Sequence, residues 1–421
     1  MPTFMAKDRL VFFGQESTFG AGVADNALEY LEISSVDMAL PANEFRLKDA
    51  LTRKDDDDKG LLARVPREFA MEYPLCGIDS SWPASEITGD PPPPVQILEG
   101  VLEDAVGGGY GVTQTDSTGS LVKLDAGQGA TFEVGQIIWV RTSSAAGYRM
   151  NPTRISDIQT DDMTVEPPLL TVPSSGDLVI GGWSLAKAVV GPLPSTYEYC
   201  LKGAGPVDVR RYLGSVVKTA TLDIEPGSNP KLSLGMIAAK VIDPDDAILD
   251  GYEGDPDPEA WDYPVLSQAI DGEFFIYDRN GGDTYHLDGS IKLDFGIDAA
   301  ANMGHSYEYP NGVREWVRTA GRITVGISPA YLDNALIALS KDPDSDLMLM
   351  VSISAGPEAF AFCLPQAVIK RLPEFGERDS FLSLEMEIGA KSYTQDVVPG
   401  AEPTSLVNAS FVLAFAGGTP T

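Results

Sequence analysis

Cysteine is scarce in this chain of 421 residues: Cys76, Cys200 and Cys363 stand far apart, with no CxxC pair. That spacing supports neither a disulfide framework nor a thiolate zinc site, and the three thiols read as small buried side chains. Histidine is scarcer still. With only His286 and His305, multi-histidine zinc sites and most serine or cysteine triads lack their parts. No GxSxG elbow or GxxxxGKS/T phosphate loop occurs, and the GGGYG run at Gly107–Gly111 has no strand-to-helix context. No apolar stretch approaches transmembrane length, and MPTFMAKDRLVFFGQ holds none long enough for a secretory signal. The expectation is a soluble protein made in a cytosol, without membrane insertion.

Positive charge is also short. Lys and Arg number 30 against 62 Asp and Glu, a formal net charge of −32. A surface so acidic repels phosphate instead of releasing counterions from it, which argues against a protein that grips nucleic acid. The acidic residues do not form a calcium loop either. Asp342, Asp344 and Asp346 match the first ligand positions of an EF-hand, but Leu347 stands where the turn glycine belongs and Ile353 where the bidentate glutamate belongs. With so many carboxylates, some pair falls at glycosidase-like separation by chance and carries no information. We expect no enzyme, no catalytic residues, no metal and no cofactor.

What the chain has is short segments of alternating polarity, densely punctuated by 42 glycines and 31 prolines. Val216, Lys218, Ala220, Leu222 and Ile224 alternate with Val217, Thr219, Thr221 and Asp223. The same period of two runs through SIKLDFGI and RITVGIS. It runs again through FLSLEMEIG, where Leu382, Leu384, Met386 and Ile388 oppose Ser383, Glu385 and Glu387. This is the pattern of a mainly β protein whose sheet keeps one polar face. One helix is expected: Ser328 suits the N-cap, Pro329 the first helical position, and Leu332, Ala335, Leu336 and Leu339 share a face.

Proline clusters at Asp90–Pro94 and Gly191–Pro194 bracket a segment with turns every eight to twelve residues. Residues 95–190 are therefore expected to form a small β-barrel inserted into a discontinuous main domain, 1–90 and 191–421. A second acidic stretch, Asp243–Pro264, lacks periodicity and reads as an exposed loop or docking segment.

The run TRKDDDDKGL, Thr52–Leu61, sets Asp55, Asp56, Asp57 and Asp58 side by side. Four adjacent carboxylates point in several directions and repel one another, a poor cage for one cation and a poor strand. DDDDK is also a protease-tag sequence, but here it is internal. It fits best at the tip of a long solvated loop between alternating segments Tyr30–Leu40 and Ala63–Leu75.

The opening FFGQESTFGAGVADNALEYLEISSVDMAL carries a Glu-x-x-aromatic-Gly phrase, Glu16 to Gly20, followed by a first strand, a long loop and a return strand. In this it resembles the major tail tube proteins of long, flexible-tailed bacteriophages and related phage-like particles. VGQIIWVR and PLLTVPSSGDLVI resemble the small barrel found in some of them. The resemblance implies a β-sandwich or half-barrel protomer with one packed helix and an inserted barrel. Such protomers assemble into rings, commonly of six copies, stacked into a tube for DNA ejection. About four strands at about 4.8 Å spacing from each of six protomers give a wall roughly 115 Å around and about 37 Å across, wide enough for a duplex.

The implied partners are copies of the chain and other tail proteins such as the tape measure and tail terminator, with DNA passing through unbound. The implied location is the virion tail, after synthesis in the host cytoplasm. Thr219, Thr221, Asp223, Ser383, Glu385 and Glu387 become candidates for the lumen, or equally for solvent-facing outer strands. In the loop from Pro41 to Leu62, Asp55–Asp58 would meet basic residues of the next ring, and Arg46, Lys48, Arg53 and Lys54 acidic ones. The plainer alternative is a solvated loop with no partner. The competing function is a decoration or adhesin protein that binds a cell-surface glycan through the inserted barrel, with Trp139, Tyr148 and Trp183 as the aromatic candidates.

Overall fold

A computed structural model describes residues 9–24, 28–31, 33–37, 66–77, 93–99, 102, 106–144, 147–186, 194–202, 206–225, 227–242, 266, 271–287, 289–303, 313–320, 323–329, 334–342, 344–355, 358–378, 381–390, 406, 407 and 409–416. The chain is mainly β, with a curled, half-barrel-like sheet and little helix.

Eight antiparallel strands lie side by side in the first sheet. In spatial order they are β3 (Ser35–Asp37), β4 (Arg67–Pro74), β15 (Lys231–Ala238), β14 (Pro206–Ile224), β19 (Gly289–Asp294), β22 (Thr324–Pro329), β25 (Phe381–Ala390) and the second half of β24 (Glu358–Arg378). A second sheet runs from β18 (Asp283–His286) through β17 (Asp271–Asp278), β23 (Leu347–Ala355), the first half of β24, β26 (Val412–Ala416) and β12 (Trp183–Ala186) to β5 (Val106–Gly107). The first half of β14 joins a third segment with β2 (Glu29–Leu31), β1 (Arg9–Gln15), β13 (Ser195–Lys202) and β16 (Lys240–Ile242). The long strands β14 and β24 thus each serve two sheets, which curls the whole.

The first two sheets face each other across one core. Leu222, Leu232, Ile291, Leu293, Val325, Ile327 and Ile388 from the first meet Phe274, Ile276, Leu349, Val351, Phe360, Phe362 and Leu413 from the second, all buried. Burial of each such side chain stabilises by about 1.5–3 kcal/mol before conformational entropy is subtracted. A short helix, α1 (Pro93–Glu99), adds Val95, Ile97 and Leu98 to this core. It was not expected from the proline run, yet prolines suit a first helical turn, where an N–H has no partner to lose.

Two sequence expectations shift. Alternation along β14 breaks at a bulge between Val217 and Thr219, so Val217 joins Ala220, Leu222 and Ile224 in the main core, while Val216 faces the other way. The expected helix start at Ser328 and Pro329 is instead the end of β22, paired with Ser290 and Gly289; α2 (Asn334–Leu339) begins later. Six residues of ladder outweigh a cap signal, and a proline costs little at a strand end. The turn after α2 is self-contained, with Asp342 accepting the Asp344 N–H.

The inserted barrel has the order β6 (Tyr110–Val112), β11 (Leu178–Gly181), β8 (Ile137–Ser144), β9 (Gly147–Gln159), β10 (Asp162–Glu166) and β7 (Leu121–Lys123). A bridge between Thr113 and Leu124 closes it. Its own core holds Val122, Leu124, Phe132, Ile138, Val140, Ile155, Met163, Val165 and Val179. The barrel strands thus occupy a stretch inside 95–190, and the flanking α1 and β12 belong to the main body.

Candidate functional site

The outer face of the first sheet is polar because every second residue of its strands turns away from the core. Direct cross-strand partners share that face, so the pairing register assembles it in rows. One row reads Lys231, Asp223, Lys292, Gly326 and Glu387. Charge alternates along it, with Lys292 Nζ 3.8 Å from Asp223 and Lys370 Nζ 3.7 Å from Glu387 at the far end. The next row reads Ser35, Glu72, Ser233, Thr221, Asp294, Thr324 and Gly389, and the one beyond it Asp37, Ala70, Gly235 and Thr219. At the end of β4, Glu68 accepts a hydrogen bond from Lys218 at 2.6 Å, which raises the lysine pKa above its usual value.

Over this face lies an open hollow of about 850 Å³, where Glu72, Asp223, Glu225, Asp294 and Glu387 outnumber Lys231 and Lys292. Three strand-interior glycines, Gly235, Gly326 and Gly389, stand on this face. Gly326 is exposed on the floor of the hollow, where a Cβ would make only an ordinary contact with the Lys292 carbonyl oxygen at 3.9 Å. Thr219 lies over Gly235 and Lys370 over Gly389, each in the volume a Cβ would claim. Glycine inside a strand marks a place where something else comes close to the backbone. At the Val216 end the face is covered: the hairpin of β20 (Ile297–Met303) and β21 (Val313–Ala320) packs Ala299, Val313 and Trp316 onto Val216 and Ile237. Trp316 Nε1–H donates to the Gly214 carbonyl at 2.8 Å.

Of the lumen candidates, Thr219, Thr221, Asp223 and Glu387 therefore stand together on one sheet face. Ser383 and Glu385 lie on β25 and pair, among the described residues, with Gly376 and Glu374 of β24; their side chains fall outside the described residues. Arg46, Lys48, Arg53, Lys54 and Asp55–Asp58 also lie outside them, as does the stretch 243–264. Sequence reading missed Lys231, Lys292, Lys370 and Asp294. Lys292 and Asp294 alternate with the apolar Ile291 and Leu293, and that parity was the available signal.

The opposite side of the body carries the barrel. Tyr110, Ile137, Trp139, Met150 and Ile180 press on a platform of small residues, Ala359, Ala361, Cys363, Ala414 and Ala416, on the outer face of the second sheet. Trp139 Nε1–H donates to Ser352 Oγ at 3.0 Å, Arg154 Nη2 to the carbonyls of Leu406 and Val407 at 2.9 and 3.1 Å, and Arg149 Nε to Glu273 at 2.6 Å. Trp139 is wholly buried and Trp183 sits in β12 between β26 and β5, so neither indole lines a surface cleft. The side chain of Tyr148 lies outside the described residues. Among the described residues no cluster of three or more His, Cys, Asp and Glu could hold a metal, and no helix is long and apolar enough to cross a membrane.

No protein-family model matches the chain, and no curated protein matches it.

Proposed function

We propose that this protein is a structural virion component that assembles into stacked rings to form a phage tail tube, a conduit for DNA. The observation that carries this reading is the layer order: polar face, first sheet, core, second sheet, barrel. A face whose described residues are acidic on balance suits the lining of a channel. Its excess carboxylates keep phosphate from adhering, while Lys218, Lys292 and Lys370 each lie within 4 Å of a carboxylate. The barrel, docked on the far side, then points outward from the tube. The mechanism is mechanical and electrostatic, with no bond made or broken, and the partners are further copies of the chain and the proteins that cap and measure the tail.

Negative-stain electron microscopy of the purified protein across a concentration and salt series tests this directly. The expected result is rings or hollow tubes. Compact monomers or solid small oligomers under every condition would overturn it.

A further inference from the structure

We propose that the Asn280–Gly281 pair, in the turn between β17 and β18, is a site of spontaneous deamidation, and that the change loosens the body's hold on the barrel. The main-chain nitrogen of Gly281, on losing its proton, attacks the side-chain carbonyl carbon of Asn280. A carbon–nitrogen bond closes a five-membered succinimide, and the side-chain nitrogen leaves as ammonia, taking up the proton. Water then opens the ring at either carbonyl and leaves aspartate or isoaspartate at position 280.

Sequence and turn geometry select this asparagine. The attack needs an N–H on the following residue and little bulk beside it. Asn151 and Asn229 precede prolines, which carry no N–H, Asn302 precedes Met303, and Asn334 precedes Ala335 within α2. Among the described asparagines only Asn280 precedes a glycine, and both residues are exposed. The amides around the attacking group are engaged: the Arg279 N–H donates to the Asp346 carbonyl at 2.9 Å, the Asn280 N–H to Asp278 Oδ1 at 3.0 Å and the Gly282 N–H to the Asp278 carbonyl at 2.7 Å. The Gly281 N–H has no acceptor among the described residues. Bulk is excluded at Gly281 itself, since a Cβ there would lie 2.7 Å from Asp278 Oδ2.

What the turn holds gives the change its effect. Asn280 Nδ2 donates to the Asp344 carbonyl at 3.0 Å and ties the turn to the segment before β23. From the same turn Arg279 reaches Asp346 and both oxygens of Glu166, at the end of barrel strand β10. A carboxylate at position 280 cannot donate to Asp344, and it adds negative charge beside Asp278 and Asp283. An isoaspartyl link also routes the main chain through the side chain and lengthens the loop 279–282, whose length sets the pairing of Asp278 with Asp283. Either product disturbs the seat from which Arg279 grips the barrel.

Ageing the protein tests both parts. The full chain, fresh and after incubation in mildly alkaline buffer at body temperature, is mapped by mass spectrometry with isoaspartyl methyltransferase labelling, which separates position 280 from the Asn311–Gly312 pair. Hydrogen exchange across β10 is read on the same samples and on folded Asn280→Asp and Asn280→Gln. Position 280 is expected to lose its amide well ahead of Asn302 and Asn334. Amides of β10 should exchange about fivefold faster in the aged parent and in Asn280→Asp, the weight of one hydrogen bond. Asn280→Gln, whose longer side chain closes the ring far more slowly, should keep its exchange rate through the same incubation. Position 280 remaining amidated while Asn302 changes, or changing no sooner, overturns the site. Conversion at 280 with β10 exchange unaltered, or an Asn280→Gln variant that loosens on ageing as much as the parent, overturns the link to the barrel.

Discussion

The carboxylate of Glu16 accepts the backbone N–H of Gly214 at 2.8 Å, across 198 positions of sequence. The same oxygen accepts the Thr196 hydroxyl at 2.7 Å and the other oxygen the Gly20 N–H at 2.6 Å, so one buried side chain ties β1 to β13 and β14. Gly214 adopts a φ of +59°, and a Cβ there would meet the Phe19 ring at 3.0 Å. The Glu-x-x-aromatic-Gly phrase is thus a structural knot: an acceptor, a plug and a donor around one turn. Glu16→Ala strands three donors and should cost about 3–5 kcal/mol, while Glu16→Gln keeps an acceptor and should cost about 1–2 kcal/mol. Urea unfolding measures both, and an unchanged midpoint for Glu16→Ala would refute the knot.

Arg279, at the turn between β17 and β18, clamps the barrel to the body. Its Nε and Nη2 donate to the two oxygens of Glu166 at 2.7 and 2.9 Å, and Nη1 donates to Asp346 at 2.9 Å. Burial alone would lower the guanidinium pKa, but the two carboxylates more than offset it and hold the group firmly charged. A forked, partly buried pair of this kind is the strong sort of ion pair. A double-mutant cycle of Arg279→Met and Glu166→Gln should give a coupling of about 1–3 kcal/mol. Faster hydrogen exchange across β10 in Arg279→Met is the matching local readout, and coupling near zero would mean the clamp is incidental.

How far the sequence foretold this architecture depends on burial. Where a strand has one wet face, as in Ile291, Lys292, Leu293 and Asp294, parity alone identifies the face. Strand β8 is apolar on both faces: Ile138 and Val140 fill the barrel core while Ile137 and Trp139 fill the dock. IIWV therefore reads as an unbroken apolar run, and nothing local reveals that half of it contacts another part of the body. The bulge at Val217–Thr219 and the capture of Ser328 and Pro329 by β22 depend on pairing partners distant in the chain. The three glycines of the polar face were visible as letters, but only register brings them together.

Trp139 supplies a graded test of the dock. Its indole N–H reaches Ser352 from inside a wholly buried contact. Trp139→Phe removes the hydrogen bond and some area and should cost about 1–2 kcal/mol, whereas Trp139→Ala also opens a cavity and should cost about 3–5 kcal/mol. If the barrel and body form one cooperative unit, thermal unfolding of both variants remains a single transition at lower temperature. Separation into two transitions would show that the barrel folds independently of its platform.

The dock should also be an alkaline weak point of the molecule. Burial pushes the Cys363 thiol from its usual 9.0 up to about 12 and the Tyr110 hydroxyl from 10.0 up to about 12, and both groups lie in the barrel–body contact. Each must stay protonated while folded but can ionise once unfolded. Between the unfolded and folded pKa values the unfolded chain therefore binds fewer protons, and stability falls as pH rises. The loss begins near pH 9 for Cys363 and near pH 10 for Tyr110 and continues toward pH 12. Its slope is about 1.4 kcal/mol per pH unit for each group. Cys363→Ala leaves the platform apolar and removes the first of these groups, so its stability between pH 9 and 10 should decline less steeply than the parent's by about that slope. Parallel curves for the two proteins over this interval would show that the thiol ionises without regard to the dock.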